Sequence, residues 1–341
     1  MDLTNARTEA AASYKERQAV IDTQVRLASV AYTLLRKTIE GEHGDRVLGK
    51  LYGDLAHKTR AVHRVPSPST KVETTAQRGV ALSVAAIHAD FEWASRDLLS
   101  DALEFWESRW TPVLGKAKPP GPAPGPLAKR GWSGTVSDAL RAHSADDGFL
   151  LGCYSLLGIE PQKTDLAALP LFDFFRRCRN RILHQDGTAG SDLVDFAKSK
   201  KMDAAFKSLG PAVCKMAPEL PELSATEPII LTPAHAILFL IVVRALFNSL
   251  ASRIRSELDA SGYFRMVGHY AYGTPYHPFR RSYYKYVFTP ASTFLEERYH
   301  VRDLDKHELV RRLRVFGLWD AISARFAELF PKARACSHAA L

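Results

Sequence analysis

Apolar residues recur at steps of three and four positions in several long segments of this 341-residue chain. The segments cover residues 6–60, 75–110, 169–185 and 232–257. A spacing of three to four residues matches one turn of an α-helix. It does not match a strand, in which side chains point to the same face at every second residue. The pattern therefore predicts an all-α core of long amphipathic helices. Residues 232–257 are apolar nearly all round in their first half, so we expect that helix at the centre.

Breaks in the helical pattern divide the chain into three predicted parts. A boundary is predicted where Pro-Ser-Pro-Ser-Thr begins at Pro66. The last part carries about 13 Lys and Arg against seven Asp and Glu, and its aromatic stretch 263–288 is compatible with short strands. The predicted parts are an N-terminal helical extension (1–66), a helical core (67–260) and a small, basic, aromatic-rich C-terminal module that is α-helical or α+β (261–341).

Charge and cysteine usage limit the class of protein. The formal net charge is +9 and the isoelectric point is about 9.3, which favours RNA, DNA or an anionic membrane as a partner without choosing among them. The four cysteines are Cys153, Cys178, Cys214 and Cys336. They form no CxxC pair, as is typical of buried, reduced thiols in a cytoplasmic protein. The N-terminus lacks a signal-peptide pattern, and the longest apolar run, residues 236–247, is shorter than the roughly 20 residues that cross a bilayer, so we expect no membrane association.

The segment from Arg179 to His184, Arg-Asn-Arg-Ile-Leu-His, combines a fixed positive charge, an amide and a histidine within two helical turns. The predicted buried stripe of its helix consists of Leu171, Phe174, Phe175, Cys178 and Ile182. Asn180 and His184 are four residues apart and share the opposite face, while Arg179 lies between that polar row and the core. The neighbouring arginines extend or flank the row: Arg176, Arg177 and Arg181. Gly187 is expected to end the helix.

These side chains suit the cleavage of RNA without a metal ion. RNA supplies its own nucleophile, the 2′-hydroxyl, so the protein needs a group that moves protons and a cation that stabilises the phosphorane. His184 can titrate near neutral pH, and the planar fork of Arg179 can bind two phosphate oxygens. Asn180 can orient either the histidine or the phosphate. We therefore predict that Arg179, Asn180 and His184 are catalytic, with no metal ion and no cofactor.

With this arrangement on an amphipathic helix, the segment resembles the HEPN superfamily, helical domains of many RNA-cutting toxins and phage-defence proteins. The shared motif is an Arg, a polar residue that is often Asn, a short spacer and a His, which correspond here to Arg179, Asn180 and His184. The order of predicted helices over residues 70–258 is also similar. The resemblance implies a metal-independent endoribonuclease and a homodimer whose two motif helices form one composite cleft. It also implies a cognate inhibitor or another defence-system partner.

Two groups of cations are candidates for binding the RNA strand. The first surrounds the predicted catalytic set: Arg176, Arg177 and Arg181. The second lies in or beside a run rich in tyrosine: Arg280, Arg281 and Lys285. The tyrosines of residues 268–286 either stack on bases or cover the core of their own module.

Non-catalytic interpretations stay open beside the ribonuclease. The cationic ridge could bind RNA, a nucleotide or a protein without cutting, or form a solvated helix face, and the basic C-terminal tail could recognise a partner protein. Glu92 and Asp97 either brace the active-site arginine or are solvated. His235 and Arg244 are expected to be core or helix-end groups. The sequence lacks the GxSxG, P-loop, HExxH and Rossmann patterns, which disfavours other hydrolases, nucleotide-triphosphatases and dehydrogenases.

Overall fold

A computed structural model describes residues 1–39, 68–110, 120–184, 187–209, 218–274, 276–282, 284–331 and 333. Over these residues the chain forms helices and loops, and its only β-type pairings are two isolated bridges, Asp2 with Arg302 and Thr188 with Pro228. The predicted all-α class is confirmed. Of the two alternatives left open for residues 263–288, the α-helical one fits, because the described part of that stretch forms helix, a π-helical turn and loops.

The described residues form α-helices and two short π-helices. In chain order they are α1 (Glu9–Ile39), α2 (Pro68–Phe105), α3 (Glu107–Trp110), α4 (Ser133–Asp147), α5 (Phe149–Leu156), α6 (Lys163–His184), α7 (Gly190–Ala197), α8 (Lys200–Ser208), α9 (Pro233–Arg255), α10 (Ala260–Val267), the π-helix π1 (Gly268–Gly273), α11 (Thr289–Thr293), the π-helix π2 (Phe294–Arg298), α12 (Lys306–Val315) and α13 (Trp319–Leu329).

The long predicted helices are present, but several of their ends differ from the prediction. Helix α1 is confirmed up to Ile39, and the rest of the predicted segment, residues 40–60, lies outside the described residues. Helix α2 begins at Pro68, inside the stretch that was interpreted as a break. Proline is tolerated there because the first turn of a helix does not use its backbone N–H groups. Helix α6 begins at Lys163, six residues before the predicted start, and contains Pro170.

The chain folds into two compact units, each formed by segments that are distant in sequence. Unit 1 contains Met1–Glu16, Glu92–Pro161 and Phe247–Leu341, and unit 2 contains Arg17–Phe91 and Gln162–Leu246. Three of the four boundaries between the units fall inside α1, α2 and α9, and the fourth, between Pro161 and Gln162, falls just before α6. The three-part division along the sequence stays a prediction.

The core of unit 2 is built from α6 and from the parts of α2 and α9 that belong to this unit. Phe172 and Phe175 of α6 pack against Phe239 of α9, with ring centroids 6.0 Å and 5.1 Å apart. Phe91 of α2 meets Phe172 edge-on at 5.3 Å. These rings are buried, and each contributes roughly 1.5–3 kcal/mol to stability by leaving water. The aromatic cluster therefore fixes α6 against its neighbours.

Helix α9 is the one described helix that is long and apolar enough to cross a membrane by length and composition. Its apolar side chains are instead used for packing: Leu238, Phe239, Val242, Val243 and Leu246 are buried. It is the central core helix that its all-round apolar pattern predicted.

A buried ionic cluster ties the start of α1 to π2 within unit 1. The Arg298 guanidinium donates to Glu9 at 2.5 and 2.8 Å and to Glu16 at 2.7 Å. Tyr299 also donates to Glu9, at 2.9 Å. Burial opposes the ionisation of Glu9, but hydrogen bonds from Arg298 and His277 outweigh it and lower the pKa of Glu9 to about 2. The cluster thus places a fully ionised carboxylate in the interior.

We expect Glu9→Gln to destabilise the protein by roughly 3 kcal/mol at neutral pH, because it leaves a buried guanidinium with one carboxylate fewer. The pKa of Glu9 lies below its ordinary value of 4.5, so its contribution is complete above pH 4.5 and is lost as pH falls toward 2. Urea unfolding at several pH values measures both effects. The exposed pair Asp22–Arg26 supplies the control, since Asp22→Asn should cost less than about 1 kcal/mol. Equal losses for the two variants would contradict the assignment.

Candidate active site on helix α6

The ends of α6 are set by local hydrogen bonds. At the N-terminus, the Asp165 carboxylate accepts the backbone N–H of Gln162 at 3.1 Å, which satisfies a donor that has no partner in the helix. After the C-terminus, Gly187 adopts a positive φ of 83°, which glycine reaches without strain. Its N–H donates to the Arg181 carbonyl at 3.1 Å. The predicted glycine stop is confirmed, and α6 ends at His184.

The predicted buried stripe of α6 is present with one exception. Leu171, Phe174, Phe175 and Cys178 are fully buried, whereas Ile182 is half-buried because the last turn projects beyond the core. Burial raises the pKa of Cys178 to about 12, and burial also raises the pKa of Cys153. These thiols are therefore packing groups that remain protonated. Cys214 and Cys336 lie outside the described residues.

Two of the predicted RNA-binding arginines are held by one carboxylate on the same helix. Arg176 donates to Asp173 at 2.5 and 2.9 Å, and Arg177 donates to the other oxygen of Asp173 at 2.7 Å. The Arg177 guanidinium also lies over the ring of Phe196 on α7, 4.5 Å from its centroid. Asp173 therefore offsets part of the positive charge on this face.

Arg181 is held against α7. Its guanidinium donates to Asp192 at 2.5 Å. Gly190 begins α7 with a positive φ of 67°, and a Cβ at that position would lie 2.8 Å from the Arg181 guanidinium. The chain thus approaches Arg181 closely at a position where only glycine is free of strain.

Arg179 differs from the other three arginines of α6 in its partners. Its Nε and Nη2 donate to the side-chain oxygen of Asn180 at 3.0 and 2.6 Å. Its Nη1 lies 3.1 Å from Nδ1 of His88 on α2. A guanidinium has only donors, so Nδ1 of His88 accepts this bond and its ring is neutral with the proton on Nε2. Both partners are uncharged, and the charge of Arg179 has no carboxylate partner among the described residues.

His88 is a site residue that no sequence pattern predicted. It is 1 % exposed, and its ring packs against Phe172 and Phe239 with centroid distances of 5.3 and 6.4 Å and interplanar angles of 19°. A histidine among apolar residues at helical spacing carries no sequence signal for this role, because the signal depends on which face of α2 meets α6. Glu92 pairs with Arg96 at 3.5 Å within α2, and the alternative in which Glu92 or Asp97 braces Arg179 stays a prediction.

The remaining predicted site residues lie in different places. Asn180 is half-buried, and its side-chain oxygen accepts hydrogen bonds from Arg179. Its predicted role, to orient the histidine or the phosphate, stays a prediction. His184 is the last residue of α6, and its side chain lies outside the described part of the structure. Arg280, Arg281 and Lys285 belong to unit 1, whereas α6 belongs to unit 2. The catalytic roles stay predictions.

His235 and Arg244 are helix-end and core groups, as expected. Nδ1 of His235 accepts the backbone N–H of Thr232 at 2.8 Å, and its Nε2 donates to the carbonyl of Glu219 at 2.9 Å. Arg244 donates to the side-chain and backbone oxygens of Gln18, at 3.1 and 2.8 Å. Both side chains are thus used within unit 2.

Comparisons with family models, with curated proteins and with solved structures find no match to this chain. Within the described ranges there is also no group of three or more His, Cys, Asp or Glu side chains that could hold a metal ion.

We expect the buried His235 to make the protein less stable in mild acid. Burial lowers the pKa of His235 below the ordinary value of 6.5, and this effect outweighs the hydrogen bond to the Glu219 carbonyl, which raises the pKa. Nδ1 of His235 accepts the Thr232 N–H only while the ring is neutral. Its contribution to the free energy of unfolding is complete above pH 6.5 and decreases as pH falls below it, where the unfolded chain takes up the proton. Urea unfolding between about pH 8 and pH 5 measures the decrease.

The variant His235→Gln removes this titration and should flatten the pH dependence. Burial also lowers the pKa of His269, which remains in the variant, so part of the slope should persist. An unchanged slope in His235→Gln would contradict the role assigned to His235.

Proposed function

We propose that this protein is a metal-independent endoribonuclease of the HEPN type, a cytoplasmic toxin or defence effector that acts as a homodimer. The observation that carries the proposal is the setting of Arg179. Arg176 and Arg177 share Asp173, and Arg181 pairs with Asp192, but Arg179 is held by an amide oxygen and a neutral imidazole.

Neutral partners suit a phosphate-binding arginine for two reasons. They fix the orientation of the guanidinium fork, yet they leave its positive charge available to an anion. The hydrogen bonds to Asn180 and His88 use three of the five N–H groups of the guanidinium, so two remain for phosphate oxygens. A half-buried site also strengthens the attraction relative to water.

The proposed reaction is an attack of the RNA on itself. His184 takes the proton of the 2′-hydroxyl while the 2′-oxygen bonds to phosphorus. The bond from phosphorus to the 5′-oxygen breaks, and that oxygen takes a proton from His184 of a second copy across the composite cleft. Arg179 stabilises the charge on the non-bridging oxygens, and Asn180 holds Arg179 in place. The products are a 2′,3′-cyclic phosphate and a 5′-hydroxyl.

A non-catalytic RNA- or nucleotide-binding module is the second candidate. It is favoured by the same observation, because an oriented and uncompensated arginine binds a phosphate whether or not the strand is cut. The two candidates differ in whether new cyclic-phosphate ends form.

We expect the wild-type protein to cut single-stranded RNA in the presence of EDTA and His184→Ala to cut it about 100- to 10,000-fold more slowly, the usual loss when a general acid or base is removed. Gel analysis of end-labelled RNA measures the rate, and mass spectrometry identifies the cyclic phosphate. Equal cleavage rates for the two proteins would contradict the assignment of His184 as the general acid and base. Tight RNA binding by the wild type without any cyclic phosphate would favour the binding module.

We expect His88 to act as a positioning residue for Arg179. His88→Leu removes the acceptor and should lower kcat about 100-fold with a smaller effect on KM, because the guanidinium loses its fixed orientation. His88→Asn keeps an acceptor near the position of Nδ1 and should restore much of kcat. Steady-state cleavage kinetics measure both constants.

The matched control for this comparison is Arg181→Gln, which removes an arginine of the same helix that is already paired with Asp192. It should change kcat little. If His88→Asn lowered kcat as much as His88→Leu, or if Arg181→Gln had the same effect, His88 would be a packing residue only.

A further inference from the structure

A rigid turn in unit 1 presents Arg280. His277 anchors the turn: the ring is nearly buried, its Nε2 lies 3.2 Å from Glu9, and its Nδ1 accepts the N–H of Phe279 at 3.2 Å. The backbone N–H of Arg280 donates to the carbonyl of His277 at 3.0 Å. Because the anchor is tied to the buried ionic cluster of Glu9, the turn is held in one conformation.

Arg280 and Arg325 converge on the same π-helical turn. Nη1 of Arg280 lies 3.4 Å from the carbonyl of Ala271, and Nε of Arg325 lies 3.4 Å from the carbonyl of Tyr272, the next residue of π1. The ring of Phe330 lies beneath the Arg280 guanidinium, 6.0 Å from it. Two guanidinium groups thus lie side by side on adjacent backbone carbonyls.

The positive charge of Arg280 is not offset by a carboxylate in the described part of the chain. Burial and the neighbouring Arg325 lower the pKa of Arg280. The adjacent Arg281 is the opposite case, because Glu297 binds it through both oxygens at 2.8 Å. Arg325 pairs with Glu328, which is 61 % exposed. Of the two neighbouring guanidinium groups, that of Arg325 is paired with a carboxylate and that of Arg280 is not, so the pair together carries one positive charge in excess.

Tyr276 lies directly before the turn and is 92 % exposed. Other tyrosines of the same run are packed inside, since Tyr272 and Tyr284 are buried. The phenol of Tyr276 is close enough to affect the pKa of the Arg280 guanidinium. A fully exposed aromatic ring beside an uncompensated arginine combines the two groups that single-stranded nucleic acids need: a cation for the phosphate and a flat face for the base.

We propose that Arg280, Arg325 and Tyr276 form a binding site for one phosphate and the neighbouring base of a single-stranded nucleic acid. The phosphate lies between the two guanidinium groups, and the base stacks on Tyr276. We expect RNA and DNA strands to bind alike, because the site uses a phosphate and the flat face of a base, which both kinds of strand provide. The site holds a strand and takes no part in bond cleavage, so it does not rest on the chemistry proposed for α6.

The test measures binding of fluorescent oligo-deoxythymidine and oligo-uridine to the full chain by anisotropy over a range of salt concentrations. Arg280→Gln should weaken the binding of both strands about tenfold and reduce the slope of log affinity against log salt by about 0.7, the value for one phosphate contact on a single strand. Arg280→Lys should keep the slope. Tyr276→Ser should weaken binding about five- to 100-fold, whereas Tyr276→Phe should bind like the wild type.

Arg311→Gln is the matched control and should bind like the wild type, because Arg311 also lies in unit 1 and Glu308 already binds it through both oxygens at 2.7 Å. If Arg311→Gln weakened binding as much as Arg280→Gln, net charge alone would explain the effect and the site would be wrong. Absence of wild-type binding, or wild-type affinity in both Arg280→Gln and Tyr276→Ser, would also overturn it. DNA lacks the 2′-hydroxyl that the proposed cleavage needs, so its binding is measured independently of ribonuclease activity.

Discussion

One of the three hydrogen bonds that hold Arg179 depends on a neutral histidine in an aromatic core. His88 packs against two phenylalanine rings, and its Nδ1 can accept from the guanidinium only while it carries no proton. The hydrogen bond joins α2 to α6 inside unit 2. The packing of the core and the orientation of the candidate phosphate-binding group are therefore coupled. A substitution in the aromatic cluster also affects the orientation of Arg179.

The arginines of this chain differ in their partners, and that difference separates structural groups from candidate binding groups. Arg298 is buried between two carboxylates, and Arg181 is bound to Asp192, so their charges stabilise the fold and are largely offset. Arg179 and Arg280 are held by uncharged groups instead. A net charge of +9 shows only that basic side chains outnumber acidic ones. The pairing pattern indicates where the excess is available to an anion.

Helical periodicity predicted the elements better than their ends. The buried stripe of α6 and the central position of α9 follow from apolar spacing, which records burial directly. The start of α2 at Pro68 and of α6 at Lys163 were missed, because a proline in the first turn costs little and because tertiary packing sustains Pro170 within a helix. The tyrosines of the C-terminal part left short strands open as an alternative, but Tyr272 lies in a π-helical turn and is buried there. Aromatic content alone does not distinguish a strand from a buried helix.

The sequence by itself determined the class of the fold, the amphipathic character of α6 and the presence of Arg179, Asn180 and His184 at one end of it. These properties are local, since they depend on the spacing of residues along one helix. Only the tertiary structure decided that His88 meets Arg179, that Asp192 offsets Arg181, and that Arg280 and Arg325 share one π-helical turn. Each of these interactions joins residues that are at least nine positions apart. Which faces meet is set by the packing of whole helices, and a short stretch of sequence does not contain that information.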